Sequence, residues 1–506
     1  MNGVRAMPQV FVEVDGSRLE AGSAAALGEI RVQQRLSMPT LCELTFFDLE
    51  ASTLALVPPA VGARLRVVAR GESEPLFEGE VTAVEYVYEP FHGKEIRVRG
   101  YDSLHLLRKR QPVRAHVQVT PADLARELVA DLGISVVAPE PGPLCQRWVQ
   151  YRQSDFDLLV EVAERCGLYL TLRGDVLYLT TLAGFGERIP LTLGESLLEA
   201  RVEVNADAAC RSVDAIGWDP LRIEKHRGRA EKARMGHETG AEVEPRPFGD
   251  SGERTLVDET LQDDLQAEAL AQAELDRRVG QEIFAWGIAQ GDARLKPGTP
   301  VEVKGVAAPF GGRYVLTSVD HTIDREKAFL SEFSSFPPVA QVRVRATTAA
   351  LGQVTRVDDP DGFGRVQVSL PTYGDVETDW LGVVTAGAGA KKGLISLPDV
   401  GDQVLVLFAR GDPAQGVVLG GLYGAQAPPD SGVEARSVRR FTFLTPGGQR
   451  LQLDDVHNTI RLENNEGSHV ELTPEKILMH AEGDIEIEAP GRSIVIRAKA
   501  IDFERA

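Results

Sequence analysis

The chain has 506 residues, which is too long for a single hydrophobic core and predicts about three to four domains. Its formal net charge of −20 and pI of about 5.0 argue against an overall attraction to nucleic acid or to an anionic membrane. The first residues, MNGVRAMPQVFVEVDG, lack the apolar core of a signal peptide, and no window approaches about 18 consecutive apolar residues, so we expect assembly in the bacterial cytoplasm.

The first part of the chain predicts β-strands. Runs such as QVFVEVDG, LCELTFFDLE and KEIRVRGYD are rich in β-branched and aromatic residues and are separated by Gly, Pro or charged turns. Similar runs recur along most of the sequence. We therefore predict a mainly β protein with some helices.

Two short helices and a hairpin are predicted next. Thr120 is a good N-cap for the helix TPADLARELVADLG. Ser154, with Asp157 three residues later, forms a variant of the capping box before SDFDLLVEVAERCG. LYLTLRGDVLYLT then predicts a strand hairpin with its turn near Gly174 and Asp175.

Residues 227–255 are polar and rich in charge and glycine, which predicts a mobile loop or an inserted excursion. A long helix, DETLQDDLQAEALAQAELDRRVG, is predicted to follow and to end near Gly280. Strands resume with EIFAWGIAQG.

One internal repeat is visible. VGARLRVVARG leads to VTAVEY, and PGTPVEVKGV leads to LTSVDH. Gly62 and Val81 are separated by 19 positions, and Gly298 and Leu316 by 18. Similar hairpins at matching spacing predict two related β-barrels in one chain, with a chance match of short β patterns as the alternative.

A domain boundary is predicted near 340–350, followed by a compact β unit over about 351–425 and a Pro/Gly/Ser linker at 425–432. The chain closes with GDIEIEAPGRSIVIRAKAIDFERA, where apolar and polar residues alternate as in β-strands. No helix follows to cover the apolar face, so these strands need a partner.

Three ordered stretches resemble one family. DPDGFGRVQVSLP together with the segment from WLGVVT to GGLYG resembles the oligonucleotide/oligosaccharide-binding (OB) barrel of VgrG-like spike proteins in contractile injection systems and phage tails. WVQYRQSDFDLLVEVAERCGLYL resembles the family's Tyr-x-x-Ser/Thr-Asp-Phe element, and 291–321 is similar to the final barrel of its tail hub. The matching motif positions are Asp155, Phe156, Gly364, Pro398, Gly401, Gly411, Asp412 and Pro413.

The resemblance implies a fold of two tail-hub β-barrels with a helical insertion, an OB-type barrel and an intertwined triple-stranded β-helix or prism. The regions are a first hub barrel at 1–115, an α/β insertion at 116–190, a second hub barrel with a long helix at 191–345, the OB barrel at 346–428 and the β-helical needle at 429–506.

The same resemblance implies a homotrimer in which two barrels from each of three chains form a pseudo-sixfold ring. Its implied partners are an inner tube protein, baseplate subunits and a PAAR-like tip protein, with a target membrane met only on puncture and no nucleic acid. The implied trimer core of the needle is Ile485, Ile487, Ile494, Ile496, Ile501 and Phe503. The implied contacts with the tip protein are Phe503, Arg505 and Ala506.

The family pattern is shortened here. The linker before the needle is too short for a muramidase-like insert, and no effector domain is expected after residue 506. The sequence therefore looks more like the spike of an extracellular, phage-tail-like particle. The alternative is a type VI secretion spike that carries effectors.

No catalytic residues are predicted, because no GxSxG, HExxH or P-loop pattern is present. The run from Asp358 to Gly362 resembles part of a calcium loop but lacks the later glutamate, so a turn is expected. Among the needle histidines, His480 is expected to point away from the trimer axis, since Ile477 and Met479 point inward.

We expect no metal, no cofactor and no enzyme activity. The four cysteines are widely spaced and without zinc-ligand spacing, so they are expected to be free and buried. The rival function is a cell-wall glycan hydrolase using paired carboxylates in 251–276. A carbohydrate-binding module is a third alternative, indicated only by the type of barrel.

Overall fold

The computed structural model describes residues 10–47, 59–69, 74–89, 93–219, 222, 224–234, 236–244, 252–325, 328–339, 347–424 and 427–504. The chain divides into two compact units, Met1–Gly421 and Leu422–Ala506. Strands dominate both units, which confirms the prediction of a mainly β protein with some helices. The five regions predicted within these units stay a prediction. Across the described ranges, every helix is too short or too polar to cross a membrane.

The first part of the chain folds into strands with alternating burial. Along β5, for example, Leu65, Val67 and Ala69 are buried while the alternate residues Arg64, Arg66 and Val68 are not. The elements are β1 Val10–Val14, β2 Ser17–Arg18, α1 Ala21–Ala26, β3 Leu27–Arg35, β4 Leu41–Phe47, β5 Arg64–Ala69, β6 Phe77–Glu89 and β7 Gly93–Tyr101.

The α/β segment that follows packs two helices against short strands. Its elements are β8 Arg114–Val119, α2 Pro121–Val129, β9 Ser135–Val137, β10 Cys145–Gln150, α3 Asp155–Glu164, β11 Tyr169–Arg173 and β12 Val176–Thr180. Short 3₁₀ helices elsewhere in the chain are Ser103–Lys109, Ala308–Phe310, Pro371–Tyr373 and Ala409–Gly411.

Both predicted helix starts are confirmed by reciprocal capping. Thr120 Oγ1 accepts the Asp123 N–H at 3.1 Å, and the Asp123 carboxylate accepts the Thr120 N–H at 3.3 Å. Ser154 and Asp157 make the equivalent two bonds, each at 3.2 Å. The predicted hairpin also forms, with Gly174 in its turn at a φ of +55°.

The next part of the chain, from Ile189 to Ser334, contains the longest described helix and eleven described strands. Its elements are β13 Ile189–Thr192, β14 Leu197–Val204, β15 Ser212–Asp219, β16 Glu224–Ala230, β17 His237–Thr239, β18 Glu253–Thr260, α4 Asp264–Glu282, β19 Ile283–Gln290, β20 Pro300–Lys304, β21 Gly312–Val315, β22 Ser318–Asp324 and β23 Ala328–Ser334.

The prediction of a loop over 227–255 is wrong for its described residues in β16, β17 and β18. β16 pairs with β15 from Val213↔Ala230 to Asp219↔Glu224. Its buried face carries only Gly228 and Ala230, because a Cβ at Gly228 would lie within 2.1 Å of the α4 backbone. Small residues under a helix give no apolar alternation, so the strand resembled a charged loop.

The predicted start of the long helix is also wrong. The chain remains a strand through the end of β18, and α4 begins only at Asp264. Asp263 caps it, with its side chain accepting the Gln266 N–H at 2.8 Å. The helix ends at Glu282, two residues beyond the predicted Gly280.

Within the described residues, eleven strands join in one sheet of order β14-β19-β23-β22-β3-β4-β7-β6-β5-β1-β2. The order contains the same four-strand pattern twice, first as β14-β19-β23-β22 and then as β3-β4-β7-β6. The first strand of each pattern carries a register shift at the same place, between Leu27 and Glu29 in β3 and between Leu197 and Glu199 in β14.

The hydrogen bonds support the repeat found in the sequence. The Gly62 N–H donates to the Val81 carbonyl at 2.8 Å, and the Gly298 N–H donates to the Leu316 carbonyl at 2.7 Å. The Val81 N–H in turn donates to the Ala63 carbonyl at 2.9 Å, and the Leu316 N–H donates to the Thr299 carbonyl at 3.0 Å. Both glycines have left-handed backbone, with φ of +90° and +86°.

The last part of the first unit is a small barrel-like sheet of order β26-β25-β24-β28-β29-β27. Its core includes Val354, Val368, Leu381, Val406 and Phe408, each at most 1% exposed. The strands are β24 Thr348–Arg356, β25 Gln367–Leu370, β26 Val376–Glu377, β27 Gly382–Val383, β28 Gln403–Phe408 and β29 Gly416–Gly421.

The second unit consists of a two-stranded ribbon and a five-stranded antiparallel meander. Its strands are β30 Val433–Glu434, β31 Ser437–Val438, β32 Arg440–Leu444, β33 Arg450–Asp454, β34 Thr459–Glu463, β35 His469–Leu472 and β36 Ile477–His480. From 481 to 504, no described residue forms a strand within the single chain. The resemblance implies that the strands of this segment pair with other copies of the chain, and that pairing stays a prediction.

Candidate functional site

One face of the meander β32–β36 carries two rows of apolar side chains, here called the apolar face. Strand register places one row across all five strands: Phe441, Leu453, Ile460, Leu472 and Ile477. The second row is Phe443, Leu451, Leu462, Val470 and Met479. Period-two alternation in each strand puts these residues on the same side of the sheet.

The apolar face is not covered by the single chain. Except for Val470, all its side chains are 40–70% exposed, with Leu472 the least and Ile477 the most exposed. A contiguous exposed apolar surface of this kind is typical of an interaction site.

The opposite face of the meander is mainly polar and internally paired, with Leu444 and Leu478 as its apolar residues. Arg461 Nη2 donates to Glu463 at 2.7 Å, and Arg461 Nη1 lies 3.5 Å from Glu471. The Arg461 hydrogen bond holds the pKa of the Glu463 carboxyl below its ordinary value. This face suits water, whereas the apolar face needs a partner.

The residues predicted to form the needle core are exposed in the single chain. Their exposed fractions run from 50% at Ile501 to 92% at Phe503. Ile485 lines the same groove as Phe443 and Met479, so the structure adds it to the apolar face. The remaining predicted members are not brought together within one chain: Ile487, Ile494, Ile496, Ile501 and Phe503. Arg505 and Ala506 lie outside the described residues.

Sequence reasoning missed most of the apolar face, although it singled out Ile477 and Met479. The signal was present, because RFTFL, RLQLD and TIRLE alternate apolar and polar residues in the same way as the closing residues. His480 lies on the opposite face from Met479, as expected for neighbours in a strand. Its ring centroid is 5.1 Å from that of His469.

Two groups of motif positions meet inside the first unit. The Tyr151 hydroxyl donates to the Gly411 carbonyl, and the Tyr151 ring packs edge-on against Tyr373 at 5.3 Å. Arg147 Nη1 donates to the Glu377 carbonyl at 2.7 Å. The Tyr-x-x-Ser-Asp-Phe element is thus held against the small barrel.

Asp155 and Phe156 are structural anchors at the start of α3. Asp155 is 2% exposed, and its Oδ1 accepts hydrogen bonds from Gln150 at 2.8 Å and Arg114 at 3.2 Å. Phe156 is buried, with the Arg108 guanidinium 4.9 Å from its ring centroid.

The motif glycines of the small barrel serve backbone conformation. Three of them have φ between +70° and +92°: Gly364, Gly401 and Gly411. The Asp412 side chain accepts the backbone N–H two residues on at 2.9 Å. Pro413 is buried and Pro398 is half-buried. These positions specify turns.

The segment that resembled a calcium loop is a turn closed by an arginine. The Gly362 N–H donates to the Asp359 carbonyl at 3.1 Å. Arg365 Nη2 donates to Asp359 at 2.7 Å and to Asp361 at 2.6 Å, and holds the pKa of the Asp359 carboxyl well below its usual range. The guanidinium neutralises the carboxylates that a cation would need.

Two family models match the chain. One, described as the type VI secretion system/phage-baseplate injector OB domain, matches residues 350–423. The other, described as the Alg8 N-terminal domain, matches residues 7–325 and so covers more than half of the chain.

Curated relatives include two spike proteins of Pseudomonas aeruginosa. The type VI secretion system spike protein VgrG4b is 34% identical over 24% of this chain and 15% of its own length. VgrG1c is 30% identical over 35% of this chain and 24% of its own length. The chain matches under a quarter of the length of each.

Two solved structures share the fold. An E. coli protein described as a component of the type VI secretion system, with structural similarity to the T4 phage tail proteins gp27 and gp5, matches with a TM-score of 0.54 and 12% identity, over 81% of this chain and 99% of its own. A Francisella PdpA–VgrG complex matches with a TM-score of 0.54 and 9% identity, over 94% of this chain and 80% of its own.

Proposed function

We propose that this chain is the structural spike and hub of a contractile injection machine, because it belongs to the VgrG-like spike proteins. The chain also belongs to the family of the Alg8 N-terminal domain, whose model covers more than half of it. The observation that carries this proposal is the apolar face. A meander with one paired polar face and one uncovered apolar face is a building block that becomes stable in an oligomer.

The proposed oligomer is a homotrimer. Three apolar faces, continued by the closing residues 483–504, bury one another in a needle whose polar faces remain in water. The core predicted from the sequence, including Ile487 and Ile494, belongs to this proposal. The burial of apolar area between chains makes the needle rigid.

The two four-strand patterns of the large sheet support the proposed symmetry match. Two patterns in each of three chains make six, which is the number that a sixfold inner tube presents. The hub thereby adapts a sixfold tube to a threefold needle.

The proposed mechanism is mechanical. Contraction of a sheath drives tube and spike through a target envelope, and the chain itself performs no catalysis. Its proposed partners are the inner tube protein, baseplate subunits and a PAAR-like tip protein, and assembly takes place in the bacterial cytoplasm. The membrane of the target is met only on puncture.

Size-exclusion chromatography with light scattering tests the proposal. The expected mass is about three times the chain mass of 55.0 kDa over a wide range of protein concentrations. A monomer throughout that range refutes the spike assignment. A cell-wall hydrolysis assay on the purified trimer separates the structural role from a glycan hydrolase, and measurable hydrolysis contradicts a purely mechanical role.

A further inference from the structure

The large sheet contains an internal junction between its two four-strand patterns. β22 pairs with β3 in antiparallel register, from Ser318↔Arg35 to Asp324↔Glu29. This pairing joins the last strand of one pattern to the first strand of the other.

The two strands that meet at the internal junction, β22 and β3, each have an equivalent at the far end of the other four-strand pattern. β6 pairs with β7 from Ala83 to Glu89 just as β22 pairs with β23 from Ser318 to Asp324, so β6 corresponds to β22. The shared register shift makes β14 correspond to β3. Each strand position at the internal junction therefore has a counterpart in β6 or β14.

Both counterpart strands have an open edge in the single chain. Among the described residues, the stretch of β6 from 83 to 89 pairs only with β7, since its pairs with β5 end at Glu80. β14 is the terminal strand of the sheet, and within the described part of the chain its residues from Glu199 to Val204 pair only with β19. Unpaired edges of this length are templates for another strand.

Positions that are buried at the internal junction are exposed at the open edges. His321 and Ile323 of β22 are 0% and 4% exposed, whereas their counterparts Tyr86 and Tyr88 are 47% and 70% exposed. At the other edge, Gln34 of β3 is 8% exposed and its counterpart in β14, Val204, is 45% exposed. The open edges thus lack the neighbour that the internal junction has.

The open edges also carry the same pair of opposite charges as the internal junction. Arg31 Nη2 donates to Asp320 Oδ2 at 3.1 Å across the β3–β22 pair. The counterpart of Arg31 is Arg201 on β14, and the counterpart of Asp320 is Glu85 on β6. Their opposite charges are retained although they lie at separate edges of the single chain.

We infer that β6 of one copy pairs with β14 of the next copy in the register of the internal β22–β3 junction. This inference rests on the trimer of the proposed function and gives the residues of its hub contact. Val84 lies opposite Val204, Tyr86 opposite Val202 and Tyr88 opposite Ala200. Arg201 of one copy then binds Glu85 of its neighbour.

Paired cysteines test the register in the full-length protein. Tyr86→Cys combined with Val202→Cys places two thiols directly opposite each other between neighbouring copies. Under mild oxidation, or with a short bis-thiol crosslinker, the expected covalent product contains three chains. Tyr88→Cys with Ala200→Cys gives a second pair on the same face and in the same register.

The matched control is Tyr86→Cys with Arg201→Cys, because a shift by one residue turns the second thiol to the other face of the sheet. Several-fold less product is expected from this control and from each single variant. Single variants also measure any background from the native cysteines, of which Cys42, Cys145 and Cys210 are buried.

The outcomes separate this inference from the proposed function. A trimer by light scattering that yields no crosslink at either designed pair, or as much from the control, overturns the inferred register and leaves the trimer. A monomer overturns both. A ladder of products beyond three chains contradicts a closed ring, because a head-to-tail contact that does not close forms a filament.

Discussion

Replacing Leu462 with aspartate at the centre of the apolar face should weaken assembly strongly. Complete burial of a leucine side chain contributes about 1.5–3 kcal/mol. Leu462 is 58% exposed in the single chain. Covering it therefore contributes about 1–2 kcal/mol per chain, or about 3–5 kcal/mol per trimer. Three carboxylates in a dry core add a desolvation cost of several kcal/mol per ion.

The assay is light scattering over a dilution series, which gives the association constant of the trimer. The apolar contribution alone predicts at least about a 100-fold loss for Leu462→Asp. Leu478→Asp is the matched control, since it makes the same exchange in the same sheet on the polar face. Unchanged association of Leu462→Asp, or an equal loss for Leu478→Asp, refutes the role of the apolar face.

Three further predictions concern the needle, a buried histidine and the repeat glycines. Ile487→Asp should also reduce trimer mass in light scattering, because three charges would meet in the needle core. Burial lowers the pKa of His321 to about 4 from 6.5, so the folded protein favours its neutral form. The contribution of this histidine to the free energy of unfolding is therefore fully present above pH 6.5, and up to about 3 kcal/mol is lost as the pH falls towards 4. Urea unfolding should show a smaller loss over this window for His321→Gln, and an equal loss contradicts the assignment. Gly298→Ala should lower the thermal midpoint more than Gly62→Ala, since both have positive φ but only the former Cβ would meet the Phe185 ring, at 2.8 Å; equal shifts contradict this reasoning.

Local chemistry made several elements predictable from the sequence. The capping boxes at Thr120 and Ser154 depend on residues three positions apart, so the sequence contains all the partners that they need. The same holds for the two-residue turn at Gly174. The repeat was visible because a left-handed glycine, Gly62 or Gly298, opens each copy of the same hydrogen-bonded hairpin.

Contacts between distant segments were not predictable in this way. Gly228 is in β16 because α4 lies against it, and nothing near it in the sequence announces the helix. The β22–β3 pair joins Arg31 to Asp320 across 289 positions. Period-two patterns predict that strands exist, but they do not state which strands are neighbours.

The two kinds of incomplete surface in this chain have different physical consequences. The apolar face loses free energy in water because apolar area stays hydrated. The open edges of β6 and β14 leave backbone N–H and C=O groups without strand partners. Each of the two proposed trimer contacts therefore has its own driving force and lies in its own unit of the chain. A lesion in one should leave the register of the other unchanged.

This independence gives a last test. Leu462→Asp introduced into the Tyr86→Cys, Val202→Cys protein should lower the association constant while the chains that do associate still crosslink to three. The expected crosslinked fraction, corrected for the fraction associated, equals that of the protein with Leu462 intact. If the corrected fraction falls together with assembly, the edges of the sheet do not pair by themselves, and the needle must hold the hub closed.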